Sequence, residues 1–255
     1  MRKLKIILIS LVLPLIILLT WEASVRFGYI PETLIATPIQ VFSNFFKMLF
    51  SGELITHSSI SLQRLILGFS IGTFLGIFLG IITGVSKLGE NIISPTMKIL
   101  SPIPPIAWIP LIIIIFGIGE GSKIALIAMA ALVVVYIHTF NGIRSTDKKL
   151  IELAKVYNKN KKELLFKILL PSSTKDIFTG MRIALGLSWI LLIASEVIAS
   201  SKGLGWLIWD ARNFTRPDDM IVGMIAIGIL GFLTDKILLI IERKMLEWGE
   251  NFEGE

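Results

Sequence analysis

The chain of 255 residues is 54% hydrophobic and 17% charged, with a mean hydropathy of +0.79, which lies outside the range of soluble domains and places it in a bilayer. It has no cysteine, so disulfide frameworks, thiolate metal sites and cysteine nucleophiles are excluded. Its net charge of +6 sits beside apolar runs, where the lysine and arginine bias of membrane loops explains it without nucleic acid.

A transmembrane helix needs about 20 mostly apolar residues to cross a hydrocarbon core about 30 Å thick. Spans are expected at Ile6–Trp21, Leu62–Gly84, Ile99–Ile118, Ile124–Phe140, Arg182–Ser200 and Met220–Ile241. The first, behind Arg2, Lys3 and Lys5, has two readings: a retained span, or a secretory signal with a cleavage region near Ala23–Ser24. Cleavage would leave five spans and put the termini on opposite sides. With all six retained, residues 1–61 form an N-terminal span and an outer helix. Residues 62–241 form a five-helix core with a cytoplasmic loop at 141–181, and 242–255 a cytoplasmic tail. Between Asn141 and Arg182, ten lysines and arginines stand against four acids, so that loop faces the cytoplasm and both termini lie inside. The stretch from Glu22 to Ser61 holds only Arg26 and Lys47, as an outer segment should.

In that outer stretch, TPIQVFSNFFKMLFSGEL places Val41, Phe45, Met48 and Leu49 on one helical face. It is too short and polar to span, so a helix lying on the outer interface is expected. In the second span Gly68, Gly72, Gly76, Gly80 and Gly84 recur every fourth residue, a groove that lets another helix approach closely in lipid. The third opens LSPIPPIAWIPLIIIIFGIG, where Pro102, Pro104, Pro105 and Pro110 forbid a regular helix. Either a structural kink or a hinge or pathway element beside Trp108 accounts for it.

In the fifth span, GLSWILLIASEVIAS carries Ser188, Trp189, Ser195 and Glu196. An ionisable residue at membrane depth needs a partner or a polar cavity. Lys202 or Arg212 in the next loop can pair with Glu196, or the carboxylate can face a pathway. Asp235 and Lys236 lie near enough to the inner end of the last span to snorkel.

Catalytic patterns are missing. Gly119–Lys123 reads GEGSK without the spacing of a phosphate loop, and there is no H-E-x-x-H metal site. His57 and His138 stand beside no matching nucleophile. The chain reads as neither an enzyme nor a holder of metal or cofactor.

The stretch ELAKVYNKNKKELLFKILLP is amphipathic and basic. Asp147 can cap a helix whose apolar side is Leu150, Ile151, Ala154 and Tyr157. Asn158 suits a left-handed turn. Asn160 and Glu163 have capping-box spacing for a second helix bearing Leu164, Leu165, Ile168 and Leu169, which Pro171 is expected to end. Such a hairpin can lie on anionic lipid or fill a groove on a cytoplasmic partner; composition leaves both open.

Glu152-Leu153-Ala154, the turn at Asn158 and Leu170-Pro171 resemble the E-A-A-x-x-x-G-…-L-P coupling loop of ABC importer permease subunits. Leu153 replaces the usual alanine and Asn158 the usual glycine. The runs PIPPIAWIPLIIIIFGIGEGSKI, MRIALGLSWILLIASEVIASSKGLGWLIWDARN and GILGFLTDKILLIIERKMLEW are similar to the subgroup serving sulfonate, taurine and nitrate importers, a likeness covering roughly Gln40 to Trp248. The resemblance implies an all-α membrane protein of about six transmembrane helices with the type I ABC importer (MetI-like) permease fold. It also implies a cell-membrane homodimer docked to two ATP-binding subunits that use ATP and magnesium, and fed by an extracytoplasmic solute-binding protein. On it, Glu152, Leu153, Ala154, Asn158, Leu170 and Pro171 shape the coupling element.

Two alternatives stand beside this reading. An ion-gradient-driven carrier would need no ATPase but should show paired intramembrane charges or related broken spans, and only Glu196 reads as an intramembrane acid. The same importer class can also serve a thiamine precursor or another small molecule. No basic residue falls in the middle of an expected span, so the sequence does not itself demand an anionic substrate.

Overall fold

The computed structural model describes residues 2–250, with side chains within residues 11–246 apart from position 155. All regular structure among these residues is helical. The helices are α1 (Arg2–Arg26), α2 (Pro38–Phe50), α3 (Glu53–Val85), α4 (Lys87–Leu100), α5 (Ile109–Phe116), α6 (Glu120–Arg144), α7 (Lys148–Val156), α8 (Lys161–Leu164), α9 (Leu170–Ala199), α10 (Leu204–Asn213) and α11 (Pro217–Glu250). A 3₁₀ turn at Pro105–Trp108 precedes α5, and a π turn at Leu165–Leu169 joins α8 to α9.

Among the described residues four helical stretches are long and apolar enough to cross a membrane, five when the bent α4–α5 pair is counted as one span. The expected span at Ile6–Trp21 falls within α1, and the side chains of its residues 6–10 lie outside those described. The helices overrun the apolar windows that announce them. At 33 residues, α3 is about 50 Å long against a hydrocarbon core of about 30 Å, and it starts at Glu53 rather than Leu62. The expected tail from residue 242 continues α11 to Glu250, and residues 251–255 lie outside those described.

The chain forms two compact units: one is the chain up to Ile60 with Ser201–Gly228, the other Ser61–Ser200 with the chain from Ile229 onward. In the first, Thr37 opens α2. Its Oγ1 accepts from the Gln40 N–H at 3.2 Å while Gln40 Oε1 accepts from the Thr37 N–H at 2.8 Å, a reciprocal cap that satisfies two otherwise orphaned donors. Val41 and Met48 are buried as their spacing predicts; along an exposed face Phe42 meets Phe46 edge to face and Phe46 stacks on Phe50. Asn44 donates to Asp219 Oδ1 at 2.6 Å, fastening α2 to the start of α11.

In the second unit the glycine row of α3 meets α6. A Cβ built on Gly68, Gly76, Gly80 or Gly84 would come within 2.6–2.8 Å of Ile127, Leu132, Thr139 or Ile143, respectively, and one on Gly72 would strike the Ala128 carbonyl. The partners ascend together, so α3 and α6 run parallel. Two further close approaches, Gly142 to Asp176 and Gly180 to His138, run in opposite order and make α9 antiparallel to α6. Both interfaces rely on small residues, as association in lipid requires.

The third expected span, Ile99–Ile118, is corrected. The chain first forms α4, opened by Ser86 accepting from the Gly89 N–H at 3.2 Å, then breaks at residues 101–104 and turns 92° into the 3₁₀ turn and α5. The prolines explain the break, since each removes a donor and crowds the preceding turn. The amphipathic α4 carries too many polar residues to stand out in hydropathy.

Candidate functional site

Asp147 opens α7, its Oδ1 accepting from the Lys149 N–H at 2.9 Å. The helix closes with the Lys159 N–H on the Ala154 carbonyl at 2.9 Å, across Asn158 at φ 51°. This is a six-to-one C-cap with asparagine in the left-handed position. Ala154 is 4% exposed, whereas Leu153, Val156, Tyr157 and, beyond the turn, Phe166 are all exposed; Glu152 is exposed as well. The side that faces outward therefore carries Leu153, Val156 and Tyr157, while Ala154 holds α7 to its own chain.

Two expectations for this hairpin are corrected. Asn160 accepts from the Glu163 N–H at 2.9 Å, but the Glu163 carboxylate accepts from Lys167 at 2.9 Å and Lys159 at 3.1 Å instead of closing a box. Pro171 does not end the helix. It lies in the first turn of α9, and the preceding π turn, where the Leu170 N–H bonds the Leu165 carbonyl, widens the backbone just before the proline ring. The shift of the hydrogen-bond ladder at the π turn accommodates the proline inside the helical run instead of ending it. Leu170 and Pro171 are both half-buried, so a continuous helical rod from Lys161 to Ala199 links the hairpin to the membrane.

The residues expected around a pathway separate into two places. Pro102, Pro104, Pro105 and Trp108 form the bend, where Ser101, Pro105 and Trp108 line a mainly apolar pocket with Met129, Val133 and Leu187. Trp108 packs against the core of Ile109, Ile112, Leu126, Ala130 and Leu191. Ser188 is fully buried, and its hydroxyl finds no partner among the described residues. The Trp189 indole donates to Thr234 Oγ1 at 3.1 Å, and the Ser195 hydroxyl to the Leu192 carbonyl at 2.8 Å. Of these three, only Trp189 makes a side-chain hydrogen bond to another helix among the described residues, α11.

Glu196 has a partner that sequence reasoning missed. Its Oε1 accepts from Arg64 Nη1 and from the Ser61 hydroxyl, each at 2.7 Å. Arg64 also grips Glu120, Nε to Oε2 at 2.5 Å and Nη2 to Oε1 at 2.6 Å, and Lys123 Nζ reaches Glu120 Oε1 at 3.1 Å. Two cations and two carboxylates thus join the N-terminal half of α3 and the first turn of α6 to the last turn of α9. Of the two candidates in the following loop, Arg212 stands over the Trp209 ring at 5.4 Å. Asp235, expected merely to snorkel, is gripped side-on by Arg182 at 3.0 and 3.2 Å, and Lys236 lies over Phe232 at 5.4 Å.

Long apolar helices, a proline-broken span and a basic hairpin with exposed apolar side chains define a membrane transport subunit. Residues 72–247 match the family described as the binding-protein-dependent transport system inner membrane component, and the chain belongs to that family of multi-pass ABC importer permeases. It is 39% identical over 245 residues to the putative aliphatic sulfonates transport permease protein SsuC of Bacillus subtilis (strain 168), covering 96% of this chain and 89% of the relative. The taurine transport system permease protein TauC of Escherichia coli (strain K12) is 32% identical, with 75% of this chain and 70% of the relative covered. The nitrate import permease protein NrtB of Synechocystis is 35% identical, with 71% and 66% covered. The fold is that of a methionine ABC transporter chain solved in inward-facing form, with a TM-score of 0.63, 20% identity, and 72% of this chain and 92% of that one covered.

Proposed function

We propose that this permease subunit carries a small oxyanion, an aliphatic sulfonate above all, and that it acts as a homodimer with both termini in the cytoplasm. Glu152, Leu153, Ala154, Asn158, Leu170 and Pro171 shape the helix that docks a separate ATP-binding subunit, one for each copy. That subunit uses ATP and magnesium, while this chain performs no catalysis. A solute-binding protein delivers substrate on the opposite side, and the bend at Pro102, Pro104, Pro105 and Trp108 serves as the movable element of the pathway.

The observation that carries this reading is the hairpin. Leu153, Val156, Tyr157 and Phe166 are exposed on a segment whose lysines favour water, and apolar side chains so placed fit a groove on a partner. The helical rod from Lys161 to Ala199 can carry a displacement of the docked hairpin into α9 as a rigid body. Names of relatives support the oxyanion assignment: they concern aliphatic sulfonates, taurine and nitrate.

Uptake by the assembled transporter in proteoliposomes tests it. ATP inside the ATPase-facing compartment should drive entry of an aliphatic sulfonate when the binding protein is supplied. Uptake driven by an ion gradient with no ATPase present would make the chain a carrier instead.

A further inference from the structure

Two cavities meet where α4 runs into the bend. The first is a cleft of about 270 Å³ between α4 and the C-terminal half of α6, whose polar lining is Ser94, Lys98, Ser101, Tyr136 and Asn141. The second is the mainly apolar pocket of about 130 Å³ beside Pro105 and Trp108, walled in part by Met129, Val133 and Leu187. Ser101 and Ile137 line both, so the cavities adjoin. The cleft is rich in donors, and no acid is among the residues that line it. Ser94 Oγ and Tyr136 Oη lie 3.2 Å apart, with both side chains buried. Two hydroxyls bring two hydrogens to that one bond, so one hydrogen remains for another acceptor. Lys98 adds an ammonium and Asn141 an amide. Glu90, the only acid of α4, is engaged by Arg144 instead. Donors without a competing carboxylate suit an anion, and an adjoining apolar wall suits an alkyl chain.

We propose that the two cavities form one amphiphilic site for a short alkanesulfonate. The sulfonate lies in the cleft against Lys98, Asn141 and the Ser94 and Tyr136 hydroxyls, and the alkyl chain enters the pocket toward Val133, with Ser101 at the junction. The proposal rests on the oxyanion reading of the substrate given above and adds to it the place where head and tail bind. The two parts contribute separately. Lys98 recognises the charge whatever the tail, while each methylene that enters the pocket leaves water and strengthens binding about fourfold. Occupancy moves no proton and makes no covalent bond. It gives the subunit a preference for anions over neutral solutes of the same shape, and among sulfonates a preference for those with a tail.

The test uses full-length protein purified in an uncharged detergent, with methane-, ethane- and propanesulfonate as probes and dimethyl sulfone as a neutral analogue. Binding is read as the concentration-dependent rise of the thermal transition. The wild type should bind the three sulfonates more tightly with each added methylene, in steps of about fourfold, and should ignore dimethyl sulfone. Lys98→Gln, at an exposed position, should weaken all three by about tenfold or more and keep the steps. Val133→Phe fills the pocket, so it should bind methanesulfonate as the wild type does and lose the steps. If Val133→Phe fails to fold, the wild-type series and Lys98→Gln still decide. Equal affinity of the wild type for the three sulfonates would overturn the proposal, as would unchanged binding by Lys98→Gln or no binding by folded wild type. Import of ethanesulfonate by the assembled transporter in proteoliposomes separates the two levels. Import with both dependences absent removes the site alone, whereas failure of import and of binding together removes the oxyanion reading with it.

Discussion

Replacing Arg64 by methionine takes from the wholly buried Glu196 a guanidinium that lies 2.7 Å away. Stranding one member of a buried ion pair typically costs about 3–5 kcal/mol, so Arg64→Met should lower the thermal transition markedly. Adding Glu196→Gln should recover much of the loss, because the double replacement removes the stranded charge. If Arg64→Met alone leaves the transition where it was, or if Glu196→Gln makes the deficit additive, the pair is not energetically linked. At this scale the sequence was half legible. Glu196 stood out as an acid within an apolar run, but Arg64 looked like a flank of the second span. Glu120 and Lys123 fell in GEGSK, where they read only as a failed phosphate loop. Ion pairing across 132 positions leaves no periodicity to detect. The Asn158 turn was legible because its cause is local: an αL residue is favoured by the side chain itself.

Helices pack here by backbone approach, which makes the glycines of α3 unequal to those elsewhere. A Cβ at Gly76 would meet the Leu132 carbonyl at 2.8 Å, whereas one at Gly228 meets nothing within 4 Å. Backbone cannot rotate aside as a side chain can, so Gly76→Ala should separate α3 from α6 at a cost of about 1–3 kcal/mol. Gly228→Ala, in α11, should be neutral or stabilise by up to about 1 kcal/mol through helix propensity. Thermal unfolding of the two variants side by side decides this, and equal transitions would contradict the packing described for α3. The four-residue glycine period disclosed a groove but not its partner, since α6 advertises no complementary row. The prolines disclosed a break but not the 92° turn. Helix α4 was missed because exposed Leu88, Ile92 and Ile99 alternate with Glu90, Asn91 and Lys98, a pattern too polar for a span and too short for a domain. Pro171 misled for a related reason: it stops a helix that precedes it in strict α register, and a π turn removes that condition.

For the molecule as a whole, the membrane class and the family were legible from composition and from several motifs in order, because both depend on many residues at once. The proposed entry of ATP-driven motion into the chain rests instead on a few exposed side chains of the hairpin. Their role is argued from surface chemistry: α7 shows Leu153, Val156 and Tyr157 outward and keeps Ala154 inside. A bulky residue at Ala154 would disturb the hairpin itself, so the informative substitutions are on the exposed side. The most direct measurement is affinity purification of the detergent-solubilised chain from its native membrane, wild type beside Leu153→Asp with Tyr157→Asp, with ATPase activity assayed in each eluate. The account predicts an ATP-binding subunit and its activity with the wild type, and their loss from a variant that remains inserted, monodisperse and thermally unchanged. Equal recovery of the ATP-binding subunit with both proteins would contradict it.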